Sequence, residues 1–559
     1  MSSVNKVTKF VFITGGVLSG IGKGVTTASI AKIFQFRGYS VRIIKIDPYL
    51  NIDPGTLNPI EHGEVFVTDQ TWTFSPVKGF DFHISEVDLD FGTYERFTGM
   101  EAHPSQNITS GQIYMSVIME ERKGGFLGRT VQIIPHVTER IKQRIWDVVG
   151  KDSVPDVLLV EIGGTVGDIE AMPFLEAVRQ LIWEIGRERV AAVHVTLVPY
   201  MQSVGEFKTK PTQHSVRTLQ SLGIQPDIMI CRSEKPLTDS SKKKIALFCN
   251  VPEAQVFSNP DISVIYQLPL SFEEEGLGEI LVNHFKLESR RPDTDAWREI
   301  VQSFQSPSET VTIAMPGKYT MLVDSYKSIN EALAHAAAAC NVRVEIKWIE
   351  TEERSTEECL QEDLSDIDGV LLTPGFGARG VEGMICAAAL ALKSKMPLLG
   401  ICYGAQLSTV AFARKVMGWK GANTTEVDPD SLYPVVDLMD DQKTTENKGG
   451  TMRLGGHTVH IVKGTRLHEL YGVDVVRERF RHRFHLIDRY MKKMCERGLS
   501  VSAYDSSKSI INAIELAGHP FWIGVQYHPE FRSRPGEPHP LYLGLIRAAL
   551  AHKRVRVKS

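Results

Sequence analysis

Cys402 lies in the run Leu398-Leu399-Gly400-Ile401-Cys402-Tyr403-Gly404. The apolar residues read as a strand, and the thiol sits between two glycines at Gly-x-Cys-x-Gly spacing just before a helix start. This is the thiol form of a nucleophile elbow, which lifts a side chain above a sheet edge. A helix N-terminus behind such a residue favours thiolate over thiol. An isolated cysteine is more commonly a buried structural one; the paired glycines favour the nucleophile. A nucleophile of this kind needs a base and a group to orient that base. Val525-Gln526-Tyr527-His528-Pro529-Glu530-Phe531 follows another strand-like run and offers both, His528 and Glu530, with a proline stiffening the turn between them. An acyl oxyanion needs backbone donors. The N–H of Tyr403 is one candidate, and the other is Gly375 in Leu372-Thr373-Pro374-Gly375-Phe376-Gly377. Pro374 has no N–H, so Gly375 must supply that donor alone.

A second chemistry is written near the N-terminus. Gly15-Gly16-Val17-Leu18-Ser19-Gly20-Ile21-Gly22-Lys23-Gly24 stands between a strand pattern and a helix pattern. Small residues let backbone N–H groups approach a polyphosphate, the helix N-terminus adds partial positive charge, and Lys23 adds a full one. The loop is one residue longer than the strict P-loop, and Gly24 stands where Ser or Thr normally holds magnesium, so a metal ligand must come from elsewhere. Lys45 ends the next strand, at the edge where such sheets bind ligands. Asp90, and Glu161 at the end of Val157-Leu158-Leu159-Val160-Glu161, are hard oxygen ligands suited to Mg²⁺. Taken singly, Asp88 and Asp90 read better as turn caps. Lys208-Thr209-Lys210-Pro211-Thr212-Gln213 packs two cations and two hydroxyls around a rigid proline and suits a second polyphosphate, although as a bare pattern it is more often a solvated loop.

Elements that position these groups follow from periodicity. Phe10-Val11-Phe12-Ile13 reads as a buried strand, a helix pattern with Ala28, Ala31 and Phe34 on one face follows and is stopped by Gly38, and Val41-Arg42-Ile43-Ile44-Lys45-Ile46 reads as the next strand. This βαβ unit predicts a mainly parallel α/β sheet, extended by strands near 157–160, 192–198 and 228–231. A polar stretch over 288–309 reads as a linker with a short helix at 297–304, and a new α/β pattern begins at Val311. The expected domains are 1–287, 288–309 (linker) and 310–559. Strand-like runs recur at 342–349, 369–372, 397–401 and 521–526.

With 559 residues, one core is too few. Hydrophobic content of 42%, charged content of 23% and a net charge of -4 are those of an ordinary globular protein and call for neither nucleic acid nor an anionic membrane. The seven scattered cysteines lack zinc-ligand spacing and read as reduced thiols of a cytoplasmic protein. The apolar run at the N-terminus is too short for a signal peptide, and none elsewhere spans a bilayer. The basic tail from His552 to Lys558 reads as a frayed terminus.

Taken together, Lys45-Ile46-Asp47-Pro48-Tyr49-Leu50-Asn51, Glu61-His62-Gly63-Glu64-Val65-Phe66-Val67, Gly163-Gly164-Thr165-Val166-Gly167-Asp168-Ile169-Glu170 and the 208–213 run resemble the signatures of the CTP synthase family, in that family's order. Cys402, His528 and Glu530 resemble the triad of class I glutamine amidotransferases. The resemblance covers nearly the whole chain. It implies a P-loop-type parallel-sheet amidoligase domain followed by an α/β glutaminase domain, and a glutamine-dependent, ATP-driven conversion of UTP to CTP by way of phosphorylation at O4. It implies that Gly20, Ile21, Gly22, Lys23, Gly24 and Val25 hold ATP phosphates together with Lys45 and Asp90, with Asp261 and Ile262 near the adenine. Ser19, Asp168, Ile169, Glu170, Lys208, Thr209, Lys210, Pro211, Thr212, Gln213 and Lys244 would contact UTP, or CTP as feedback inhibitor. Asp90 and Glu161 would hold Mg²⁺. Gly404, Ala405, Gln406, Glu426 and Arg483 would join Gly375 and Tyr403 around glutamine, Glu426 taking its ammonium and Arg483 its carboxylate. Gly380 and Glu382 would lie in a loop serving GTP as allosteric activator. A homotetramer, and filaments, are also implied.

The chain departs from the family in three places: the apparent insertion Thr71-Trp72-Thr73-Phe74-Ser75-Pro76-Val77-Lys78-Gly79, Thr373-Pro374 where Pro-Gly is usual, and His485 where an acid is usual. Two other readings stand beside this one: an amidoligase acting on a different substrate, and a nucleotide-binding, filament-forming paralogue without activity.

Overall fold

The computed structural model describes residues 7–150, 153–318, 323–442 and 452–556. It divides into two compact units, one formed by Met1–Pro54 with Trp72–Val301 and the other by Gly55–Thr71 with Gln302–Ser559. The second boundary falls inside the expected linker. The first was not foreseen: seventeen residues of the N-terminal half (55–71) belong with the C-terminal unit.

The first unit is built on a seven-stranded parallel sheet, in the order Val256–Pro260, Ile228–Ser233, Val190–Leu197, Lys9–Gly15, Val157–Ile162, Val41–Asp47, Asn107–Thr109. Helices cover both faces, which is why these strands are continuous apolar runs rather than alternating ones. Residues Phe10 to Ile13 and Leu158 to Val160 are essentially unexposed. Register matters to function: Lys45 pairs with Glu161 toward the carboxyl ends of their two strands, and with Asn107 at the start of the third. The turn after Lys9–Gly15 leads into helix Lys23–Phe36.

The insertion near residue 71 lengthens a two-stranded hairpin, Phe66–Val77 and Phe80–Val87, turning at Lys78 and Gly79. Its distal half alternates as strands do. Trp72, Phe74, Phe80 and Phe82 stack along one face, while Thr73 meets His83 (3.2 Å) and Ser75 meets Asp81 (2.5 Å) on the other. Arg144 lies 4.6 Å from the Trp72 ring centre.

A nine-stranded sheet forms the second unit, in the order Val342–Glu350, Glu309–Gly317, Gly369–Leu372, Leu398–Ile401, Trp522–Val525, Ile511–Leu516, Leu499–Tyr504, Arg453–Ile461, Val475–His482. The first five strands are parallel and the remainder antiparallel. Leu398 packs into the core on one face and its neighbour Leu399 into the core on the other, so helices sandwich this sheet too.

Three expectations change. The 208–213 run is not a loop throughout: Lys210 opens helix Lys210–Ser221, since proline is favoured in a first helical turn. The linker helix Asp295–Gln305 is anchored, with the Trp297 indole N–H donating to the Tyr266 carbonyl at 2.8 Å. Residues 552–556 do not fray. They end helix Pro540–Arg556, where Lys553 reaches the Thr310 carbonyl and Arg556 pairs with buried Asp368 at 2.8 Å. Val557 and Lys558 lie outside the described residues.

Candidate active site

Cys402 follows strand Leu398–Ile401 and caps helix Tyr403–Lys415 with φ 51° and ψ -102°. A non-glycine residue held there stores strain of order 1–3 kcal/mol, which persists only if neighbours impose it. They do. The Cys402 N–H donates to the Val525 carbonyl at 2.7 Å. A Cβ on Gly404 would lie 2.2 Å from the Leu372 carbonyl oxygen, and one on Gly400 would lie 2.8 Å from Gly404, so both flanking glycines are required by close backbone approach. The thiol points at the Arg481 carbonyl, 3.6 Å away.

Strand Trp522–Val525 runs beside the elbow strand and delivers His528 and Glu530 on the following turn. His528 Nδ1 and Glu530 Oε1 are 2.7 Å apart, both buried. Burial works to lower the His528 pKa, but the Glu530 carboxylate and the neighbouring Cys402 outweigh it and raise it to about 10. The ring is therefore an imidazolium at neutral pH, able to deliver a proton to a departing amine.

Cys402 opens onto a cavity of about 600 Å³, also lined by Gly375, Tyr403, Gln406, Glu426, His482 and Arg483, with Gly55 and Thr56 at its wall. Burial raises the Glu426 pKa, opposed by the Gly377 N–H and by Lys318. That N–H donates to Glu426 Oε1 at 2.6 Å, a pairing that no spacing along the chain signals. Arg483 donates to Gln442 at 2.5 Å. Gln406 spends its amide N–H groups inside the protein, on the Phe484 carbonyl (3.1 Å) and Gln526 (3.3 Å). His482 was not singled out by the sequence. Its Nδ1 bonds the Phe484 carbonyl at 2.8 Å, and burial, aided by Arg453, holds its pKa well below the usual histidine value. Gly380 and Glu382 serve the fold here: Gly380 (φ 67°) abuts Thr351, and Glu382 takes Arg414 through both oxygens at 2.6 and 3.2 Å.

In the first unit, the loop before Lys23 uses three left-handed residues, Val17, Gly20 and Gly22. Lys23 folds back and donates to the Gly164 carbonyl at 2.8 Å. Beneath Gly16 lies a buried relay, Thr14 to His194 (2.8 Å) to Ser215 (2.7 Å), and burial drives the His194 pKa down to about 3, so this ring is a neutral brace. Lys45 gathers three carboxylates: Asp90, Glu161 at 3.0 Å and Asp88 at 3.6 Å. Burial disfavours its charge, yet Asp90, Glu161 and Asp88 more than compensate and raise its pKa well above the usual value. Tyr94 hydrogen-bonds the other Glu161 oxygen.

Gly24 now has an explanation. A Cβ there would lie 2.2 Å from Asp90 Oδ1. The carboxylate occupies the space that a side chain at position 24 would fill. Asp90 and Glu161 fit Mg²⁺, which takes one or two carboxylates and completes its shell with phosphate and water. Among the described residues no cluster of three or more acidic, His or Cys side chains forms a ready-made metal cage.

The remaining predicted nucleotide contacts divide into two kinds. Ser19, Asp168, Ile169, Glu170 and Lys244 are exposed. Thr209, Thr212 and Gln213 are buried, Thr212 donating to the Leu197 carbonyl and Gln213 to Thr209, each at 3.0 Å. Lys208 pairs with Glu206, Lys210 lies 5.7 Å from the Phe248 ring centre, Pro211 sits in the first helical turn, and Asp261 beside Ile262 pairs with Arg232 at 2.5 Å. Helix Lys210–Ser221 abuts the phosphate loop, for Ser215 Oγ would be 1.6 Å from a Cβ on Gly16.

A parallel-sheet unit with a glycine-rich phosphate loop, joined to an α/β unit bearing a cysteine elbow and a His–Glu pair, defines a glutamine-dependent amidoligase. Residues 9–287 match the family model described as CTP synthase N-terminus, and 321–548 match glutamine amidotransferase class-I. A CTP synthase of Thermococcus kodakarensis is 51% identical over 549 residues, covering 98% of this chain and 99% of that protein; one of Clostridium kluyveri is 47% identical over 546 residues, with 98% and 99% covered. The solved glutaminase domain of Trypanosoma brucei CTPS with bound acivicin is 34% identical with a TM-score of 0.40, covering 43% of this chain and 94% of that one. The chain belongs to the CTP synthase family. It converts UTP to CTP at the expense of ATP, with nitrogen from glutamine.

Proposed function

We propose that the two half-reactions use the residues described above. Cys402 Sγ attacks the glutamine side-chain carbonyl, the N–H groups of Tyr403 and Gly375 receive the oxyanion, and His528, oriented by Glu530, protonates the departing ammonia. Water then releases glutamate from the thioester. Glu426 and Arg483 take the α-ammonium and α-carboxylate of glutamine, with Gly404, Ala405 and Gln406 shaping the pocket. The observation that carries this reading is the buried 2.7 Å His528–Glu530 contact beside a strained cysteine elbow.

In the first unit, the phosphate loop from Gly20 to Val25, with Lys23 and Lys45, cradles ATP near Asp261 and Ile262. Mg²⁺ held by Asp90 and Glu161 would neutralise charge on the phosphoryl group passing to UTP O4. Ammonia then displaces that phosphate, giving CTP, ADP and phosphate. Lys45, now clasped by carboxylates, would turn to the phosphates as the metal takes those oxygens. Ser19, residues 168–170 and 208–213 and Lys244 bind UTP, or CTP as inhibitor. GTP activation, a homotetramer and a cytoplasmic setting complete the reading; among the described residues no helix is long and apolar enough to cross a membrane.

The test is CTP formation from UTP, ATP and Mg²⁺ with glutamine plus GTP, and separately with ammonium. Product from both nitrogen sources is expected. Absence of product with both nitrogen sources, in folded protein, would overturn the assignment of the first unit, and product with ammonium alone would place the fault in the Gly375 turn or its coupling.

A further inference from the structure

Lys318 follows the last residue of strand Glu309–Gly317, in the second unit, and is 5% exposed. Its ammonium donates to the Phe376 carbonyl at 2.5 Å and the Gly377 carbonyl at 2.6 Å. It also lies 4.9 Å from the centre of the Tyr403 ring. The Tyr403 hydroxyl donates to the same Gly377 oxygen at 2.7 Å, and the Gly377 N–H is held by Glu426. Among the described residues Lys318 forms no ion pair within 4.0 Å. A buried ammonium without a carboxylate partner is costly, and sites that retain one are candidates for a functional role.

The two oxyanion donors come from segments far apart in sequence, the 373–377 turn and the start of helix Tyr403–Lys415. Pro374 removes one backbone donor from that turn, so its alignment rests on Gly375. One ammonium touches both segments: it holds the carbonyl side of the turn and the ring of the residue that supplies the other N–H. We propose that Lys318 is a positioning residue of the glutaminase reaction, fixing the Gly375 and Tyr403 N–H groups relative to one another from behind the oxyanion hole. This rests on the reading of Cys402 as nucleophile and of those two N–H groups as its oxyanion donors. The groups facing Lys318 are Glu426 and Glu352, which favour its charge, Arg379, which opposes it, and burial, which brings its pKa down to about 8. The site thus holds it as an ammonium in the neutral range.

The experiment is Lys318→Met in the full-length protein, assayed for glutamine hydrolysis with UTP, ATP, Mg²⁺ and GTP present. Misaligning an oxyanion hole costs turnover more than binding, so kcat is expected to fall roughly 10- to 100-fold with KM changed less than about 3-fold. Alkylation of Cys402 by iodoacetamide, which forms no oxyanion, is expected to stay within about twofold of wild type. Lys318→Gln, which keeps two N–H donors but loses charge and reach, should fall roughly 3- to 10-fold with the same split. It carries the test alone if thermal unfolding shows the methionine variant unfolded. Unchanged kcat, or an alkylation rate that drops as far as kcat, would overturn the proposal. Glutamine hydrolysis surviving in Cys402→Ala would instead overturn the reading it rests on.

Discussion

His528 shows how a residue's chemistry follows from what surrounds it. Burial alone would discharge the ring, and Glu530 and Cys402 reverse that and raise its pKa to about 10. Because the folded value lies above the unfolded one near 6.5, the stabilisation from charging this ring is complete below pH 6.5 and is lost as pH rises through about 10. Replacing Glu530 by Gln removes the leading favourable charge. The basic limb of the pH dependence of glutamine kcat/KM should then move toward acid by about one pH unit or more, an outcome the profile reads directly. Gly24 makes a second residue-scale case. Gly24→Ser should push Asp90 aside and lower CTP formation on the order of 10²-fold, equally with ammonium and with glutamine. A loss confined to the glutamine reaction would show that Asp90 does not serve the first unit's chemistry.

Among the elements, residues 55–71 are the least expected. They join the second unit through buried Asp69, which pairs with Arg477 at 2.6 Å and Arg532 at 3.1 Å, and through Arg479, which is fully buried and donates to the Val67 carbonyl at 3.0 Å. Phe66 meets Phe531 edge-on at 5.0 Å, next to Glu530. Asp69→Ala should destabilise this packing by about 1–3 kcal/mol, since it leaves partly buried guanidinium groups without their acceptor. Hydrogen exchange should find residues 66–70 newly exposed, with the core strand 398–401 still protected. The terminal helix offers a further check. Ending the chain after Leu550 removes the Lys553 bond to Thr310 and the Arg556 bond to Asp368, and leaves Asp368 buried with its charge less well matched. A fall in Tm of several degrees is expected, at about 2–4 °C per kcal/mol for a unit of this size. The hairpin at 72–87 was visible in the sequence only as extra residues. Its strand form follows from aromatic alternation and the Lys78-Gly79 turn, with φ 87° at Gly79.

At the scale of the whole molecule, two chemistries in one chain mean that single changes should divide the activity. Cys402→Ala is expected to abolish glutamine-dependent CTP formation and leave the ammonium-dependent reaction; loss of both from folded protein would contradict the two-site scheme. Legible along the chain were the parallel-sheet class of the first unit, its glycine-rich loop, the cysteine elbow followed by His528 and Glu530, and a carboxylate at a strand end. All of these are set by local pattern: strand periodicity, glycines at fixed spacing, a charge at a strand end. What non-local packing sets is seen only in the folded chain. That packing made Asp90 the reason for Gly24, gathered three carboxylates on Lys45, took residues 55–71 into the second unit, and carried Lys318 to a turn nearly sixty residues away. The physical reason is that a strand's register and a turn's contacts depend on which distant segment lies alongside, and no spacing along the chain records that.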